Sequence, residues 1–219
     1  MEGMGLIRWD NHTEFLPFIQ GLPNLVYLGL GGSWVPTVST PQPRFEHRNL
    51  RHLWLKGLVR KVFQFLEFVP LQTLETLEIH AIGCPRFSQN IPPDVFRDFL
   101  EGRDEALQSL SLSSNPPNYV LEIGNPDHQT ESGSVTPIFK LTVTGFDEAP
   151  PEVWGELVRA LPPLESVEEV VLYHVQLYSS DAEHLLQLVP HMDRVIATGS
   201  DTRFIIRASQ PMEVGASGE

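Results

Sequence analysis

Leu22-Pro-Asn-Leu25-Val-Tyr-Leu28-Gly-Leu30 sets apolar residues at positions i, i+3 and i+5, namely Leu25, Leu28 and Leu30. The same spacing returns at Leu50/Leu53/Leu55, Leu74/Leu77/Ile79, Leu107/Leu110/Leu112, Ile138/Leu141/Val143, Val167/Val170/Leu172 and Met192/Val195/Ala197. Successive first positions are 25, 24, 33, 31, 29 and 25 residues apart. Of the 21 template positions, 20 are Leu, Ile, Val or Met, which chance spacing in a chain with 41% hydrophobic residues does not readily give. Self-similarity at this period marks a stack of units, each a strand plus a helix or turn. One unit cannot bury its apolar face alone, but neighbours share a core.

The fourth unit, Leu107-Gln-Ser-Leu110-Ser-Leu112-Ser-Ser-Asn115, resembles a leucine-rich repeat through its terminal Asn. The other units carry Ser33, Leu58, Ile82, Phe146, Val175 and Ser200 at that position. Irregular units of this kind are similar to the repeats downstream of the F-box in fungal F-box proteins. The resemblance covers about residues 13–200. It implies an α/β leucine-rich-repeat solenoid of about seven irregular units, with a parallel concave sheet and helices on the convex side. It also implies a protein-binding role, that of the substrate-recognition part of a cullin-type ubiquitin ligase receptor. In that family an F-box ahead of the repeats docks the ligase adaptor. No F-box is visible before Thr13, so an adaptor partner is expected only if one is supplied upstream.

The domain reading is an extension over 1–12, the solenoid over 13–207 with an insertion at 115–137, and a disordered tail over 208–219. A chain of 219 residues suits one such domain. Net charge is -13. Residues 1–110 carry 10 basic and 12 acidic groups, and residues 111–219 carry 5 and 16. An acidic second half disfavours nucleic acid, whose phosphates need clustered Lys and Arg. It suits a basic protein partner, or simply keeps the surface soluble. The single cysteine, Cys84, allows no internal disulfide, and neither a signal peptide nor a membrane-spanning run is visible. The expected setting is cytoplasmic or nuclear, and the expected state is a monomer.

Helix signals punctuate the units. Thr13 caps a helix to about residue 20, with Phe15, Phe18 and Ile19 inward and Gly21 as its stop. Val59, Val62, Phe63, Leu66 and Val69 share one helical face before Pro70. Phe65 and Phe68 lie off that face and are expected to meet neighbouring helices. Asp94 caps a helix with Val95, Phe96, Phe99 and Leu100 inward. Pro150-Pro151 opens one with Val153, Trp154, Leu157, Val158 and Leu161 inward. Ser180-Asp-Ala-Glu183 matches a capping box. The proline-rich stretch 31–47 reads as a loop, in which Trp34 either anchors to the core or is exposed for binding. Within the insertion, residues 119–123 alternate enough for an edge strand or half a hairpin. The polar residues 127–134 are either functional or disordered. Residues 204–207 are a candidate closing strand.

If i+3 and i+5 point into the core, i+2, i+4 and i+6 point to the opposite face. The i+4 row then reads Gly29, Trp54, Glu78, Ser111, Thr142, Val171 and Ile196. Tyr27, His52, Trp54, Lys56, Glu78 and His80 gather in the first three units and form the candidate partner-binding site, since aromatic and charged residues together typify binding hot spots. No phosphate-binding loop, zinc-protease motif or nucleophile elbow is present. Catalytic, cofactor and metal residues are therefore expected to be none. The competing reading is a degenerate or truncated structural repeat protein with no dedicated ligand.

Overall fold

Leu53, Leu55, Leu77 and Ile79 alternate with less buried neighbours along two strands and are fully buried, as the repeat template requires. The computed structural model describes residues 12–32, 35, 47–83, 93–101, 103, 107–115, 117–129, 135–144 and 151–199. In chain order the elements are α1 (His12–Gln20), β1 (Tyr27–Gly31), β2 (His52–Leu58), α2 (Val59–Leu66), β3 (Thr76–Ile82), α3 (Pro93–Leu100), β4 (Ser109–Asn115), β5 (Asn118–Gln129), β6 (Val135–Thr144), α4 (Pro151–Ala160), β7 (Glu169–Tyr173), α5 (Ser179–Leu188) and β8 (Arg194–Thr198). A 3₁₀ turn, Leu71–Thr73, precedes β3. The protein is mixed α/β, built on one eight-stranded, mostly parallel sheet.

The repeat is visible in the backbone. At five template positions the N–H of residue i donates to the carbonyl of i−3: Leu25 to Leu22, Leu50 to His47, Leu74 to Leu71, Val167 to Leu164 and Met192 to Val189. This turn fixes the entry angle of the strand that follows. The carbonyl of residue i+1 then accepts two N–H groups from the neighbouring unit. Arg51 and His52 donate to Val26, Glu75 and Thr76 to Arg51, Glu168 and Glu169 to Gln108, and Asp193 and Arg194 to Glu168. Adjacent strands are thus held in one register from their first residue.

Sheet order is β1-β2-β3-β6-β5-β4-β7-β8. The seven template strands all run parallel, and β5 alone opposes its neighbours β4 and β6. Of the two readings of 119–123, the half-hairpin holds, since β5 pairs antiparallel with β4 and β6, and the edge strand does not, because β5 lies in the middle of the sheet. The cause is connection length. Only residues 116 and 117 join β4 to β5, and so short a link permits antiparallel pairing only. The hairpin carries β6 two places away from β4, so β3 pairs with β6 instead of β4. Tyr119, Leu121 and Ile123 join the core, and Tyr119 meets Trp154 of α4 edge to face at 6.0 Å.

The helices cover one face of the sheet. Phe15 of α1 packs on Phe65 of α2, Phe63 of α2 on Phe96 of α3, and Phe96 on Phe139 of β6. Phe65 therefore meets a neighbouring helix as its off-face position implies. The inward sets of α3 and α4 are buried as expected. Several local expectations need correction: α1 begins at His12 and α3 at Pro93, so Thr13 and Asp94 lie inside the first turns and are not the flanking caps. Phe18 is exposed, since α1 buries the i, i+4 pair Phe15 and Ile19 instead. α5 begins at Ser179 with Tyr178 as its flanking residue and no side-chain cap bond, so Ser180 lies inside the first turn and the capping box does not form. In the last unit Val195 and Ala197 are exposed, because the described residues place no further layer beyond β8. Trp34, Cys84, the closing strand 204–207 and the tail 208–219 lie outside the described residues.

Candidate functional site

The sheet face opposite the helices presents the even template positions. On β1–β3 the register sets Tyr27 level with His52, Gly29 with Trp54, Trp54 with Glu78, and Lys56 with His80. All six residues proposed from the sequence therefore share one surface on three adjacent strands. Each is placed there by a buried i+3 or i+5 neighbour, since alternate residues of a strand face opposite ways.

Trp54 is the centre of this surface. A Cβ at Gly31 would sit 3.3 Å from Trp54 Cζ3, and one at Gly29 would sit 3.7 Å from Cε3. The indole thus lies over a strip of β1 that carries no side chains. Tyr27 shares that strip, with Cε1 3.3 Å from the same Gly29 position. On the other flank the His80 ring is 5.6 Å from the indole, tilted by 50°. His80 Nε2 is 2.7 Å from Glu78 Oε1, so this nitrogen donates and the carboxylate accepts. Tyr27 is 59% exposed and Lys56 is exposed. His52 turns toward the strand starts, with Nδ1 2.9 Å from Thr76 Oγ1 and Nε2 4.0 Å from Glu75 Oε2. Two apolar residues the sequence reading left out extend the surface: Leu58 and Ile82 are neighbours in register and both exposed. Their shared place eight residues after the first position of their units was the available signal.

The rest of the face differs from the template rows. Lys140, not Ser111, stands opposite Glu78, and Glu122 of β5 stands opposite Lys140. Thr142 moves up one step to lie level with His80. Lys140 Nζ is 2.7 Å from Glu122 Oε1. This polar centre separates the aromatic surface on β1–β3 from a second exposed set, Tyr173 and Ile196, at the far end. A shallow open notch of about 600 Å³ lies at the starts of β4, β7 and β8, lined by Glu165, Glu168, His191 and Asp193 among others. It is remote from Trp54.

Among the described residues no group of three or more His, Cys, Asp or Glu is placed to hold a metal ion. No described helix is long and apolar enough to cross a membrane. Scans against protein-family models, curated proteins and solved structures return no match for this chain.

Proposed function

We propose that the chain is a leucine-rich-repeat solenoid that binds another protein on its open sheet face, through Tyr27, His52, Trp54, Lys56, Glu78 and His80. One observation carries the reading. A tryptophan, a tyrosine and ionisable groups meet on a three-stranded platform whose other face is packed, and the described helices leave this face open. Interface anchors are enriched in Trp and Tyr because they bury much area while fixing few torsions. Repetition at the i, i+3, i+5 spacing and the recurring i to i−3 turn support the solenoid. The resemblance to F-box repeat regions makes the substrate-recognition half of a ubiquitin ligase receptor the specific form of this role.

The test replaces Tyr27 with a photo-crosslinking residue in cells and identifies what is captured. Affinity of that protein is then measured for the parent chain and for Trp54→Ala. A central aromatic anchor costs about 2 kcal/mol or more on truncation, some thirtyfold in Kd. Unchanged affinity with an intact fold removes this surface from consideration. Co-capture of the ligase adaptor by a chain extended upstream tests the receptor role separately.

A further inference from the structure

Lys56 stands in apolar company on the open face. On its own strand Trp54 precedes it by two residues and Leu58 follows it by two, so all three side chains point the same way. In register Lys56 lies between Gly31 and His80, and Leu58 lies beside Ile82. The rim of the Trp54 ring reaches over Gly31, since a Cβ there would sit 3.3 Å from Cζ3. Lys56, Leu58 and Ile82 are all exposed. The acidic groups here are engaged within the protein. Glu78 Oε1 accepts from His80 at 2.7 Å, Glu122 holds Lys140 at 2.7 Å, and Glu75 lies 3.5 Å from Arg51. Among the described residues Lys56 enters no ion pair. The segments that continue from β1 and β3, 33–46 and 84–92, hold one carboxylate between them, Glu46. Its chain neighbour His47 stands ahead of β2, at the end away from Lys56.

Resting on the reading that this surface binds a protein, we infer that the bound segment seats a carboxylate on Lys56 and sets an apolar side chain on either side, one against Trp54 and one against Leu58 and Ile82. Spacing sets the pattern. Trp54, Lys56 and Leu58 are two residues apart in turn, about 6.6 Å along β2. An extended segment laid along β2 presents one face at the same interval, so the sequence matched is apolar-x-Asp/Glu-x-apolar. The apolar contacts exclude water around the ion pair, which strengthens an attraction that is worth little at an open surface. Charge over the whole chain chooses the place. Residues 111–219 carry 11 more acidic than basic groups, and residues 1–110 only 2 more. An acidic segment is therefore repelled from the end that carries Tyr173 and Ile196 and tolerated at β1–β3. This departs from the basic partner that net charge alone favours.

The experiment pans a random peptide library, displayed on phage, against the full chain and measures Kd of the enriched peptides by fluorescence anisotropy. The expected consensus is an acidic residue with apolar residues two places before and two places after it. Trp54→Ala and Lys56→Glu each weaken binding about tenfold or more, and Lys56→Arg, which keeps the charge, by no more than about threefold. Replacing the peptide's acid with Lys lowers affinity for the parent chain and restores it for Lys56→Glu. Lys56 is exposed, so its variants keep the parent's melting temperature. Enriched peptides that need Trp54 but carry no acid, or that ignore Lys56→Glu, overturn this inference and leave the binding surface standing. Peptides that ignore both Trp54→Ala and Lys56→Glu, or a library from which none is enriched, overturn both.

Discussion

Gly155 shows how much one hydrogen in place of a methyl can decide. It is buried in α4, and a Cβ there would fall within 3 Å of both the Asp181 carboxylate and the Arg159 guanidinium. Asp181 sits in the first turn of α5, almost fully buried, 3.5 Å from Arg159 Nη2. The carboxylate thus occupies the space a side chain on α4 would need. Alanine is the better helix former by about 1 kcal/mol. Forcing a buried carboxylate aside costs about 1–3 kcal/mol, and that term wins. Gly155→Ala is therefore expected to lower stability by up to about 2 kcal/mol net in chemical denaturation, against its propensity. Adding Asp181→Ala should restore part of the loss, and the double-mutant cycle reads the coupling. At Gly31 the added methyl would meet only the edge of the Trp54 ring. Gly31→Ala should tilt the indole and alter near-ultraviolet dichroism with little change in melting. The sequence displays both glycines but not their neighbours, because Asp181 lies 26 positions from Gly155 and meets it only once α4 and α5 pack.

At the scale of elements, Arg103 fastens the end of α3 to the turn before β3. Its Nε donates to Phe99 O at 2.6 Å, its Nη2 donates to the carbonyls of Leu74 and Gln72, and the guanidinium lies 4.4 Å from the Phe99 ring centre. Burial lowers its pKa from the ordinary arginine value, with Glu75 acting in the opposite sense. Arg103→Ala should cost about 1.5–3 kcal/mol, the range for charged hydrogen bonds, read from denaturant midpoints. The strands and helices of the repeat were legible because their apolar spacing is local: Leu53, Leu77, Phe96 and Leu157 are buried where the period puts them. The place of β5 was not legible. The steps of 33 and 31 residues announced an insertion, but pairing partners are chosen by connection length and available edges, which a repeat template does not encode. The same cause misplaced Thr142 and hid the Lys140–Glu122 pair, while the six residues on β1–β3 came together because the insertion follows them. A central β5 makes its own prediction. Leu121→Ala should cost about 2–5 kcal/mol, the range for a closed core site, and amides of 120–123 should exchange among the slowest. Fast exchange there would return β5 to an edge.

Over the whole molecule, the sheet separates two tasks. One face and its helices hold the apolar template residues and set stability. The other carries the aromatic surface, the polar centre and the far patch of Tyr173 and Ile196, none of which a strand needs in order to fold. Substitutions on the open face should therefore shift melting less than core changes do, as surface positions usually do, and on the proposed function they are the ones that change binding. Trp54→Ala and Leu53→Ala, adjacent in sequence and opposite in direction, form the sharpest pair for calorimetry.

The hairpin in the middle of the sheet also orders events in time. On the ribosome β1, β2 and β3 emerge first and can pair at once, yet the strand that covers the outer edge of β3 is β6. Residues 83–134 must be translated in between. At about 5–20 residues per second the gap is roughly 3–10 s. For that interval the outer edge of β3 lacks its final partner, and the newborn sheet stands open along one side. A nascent chain stalled once β3 has cleared the ribosome but before β6 has done so should hold chaperones, and one stalled after β6 has cleared it should release them.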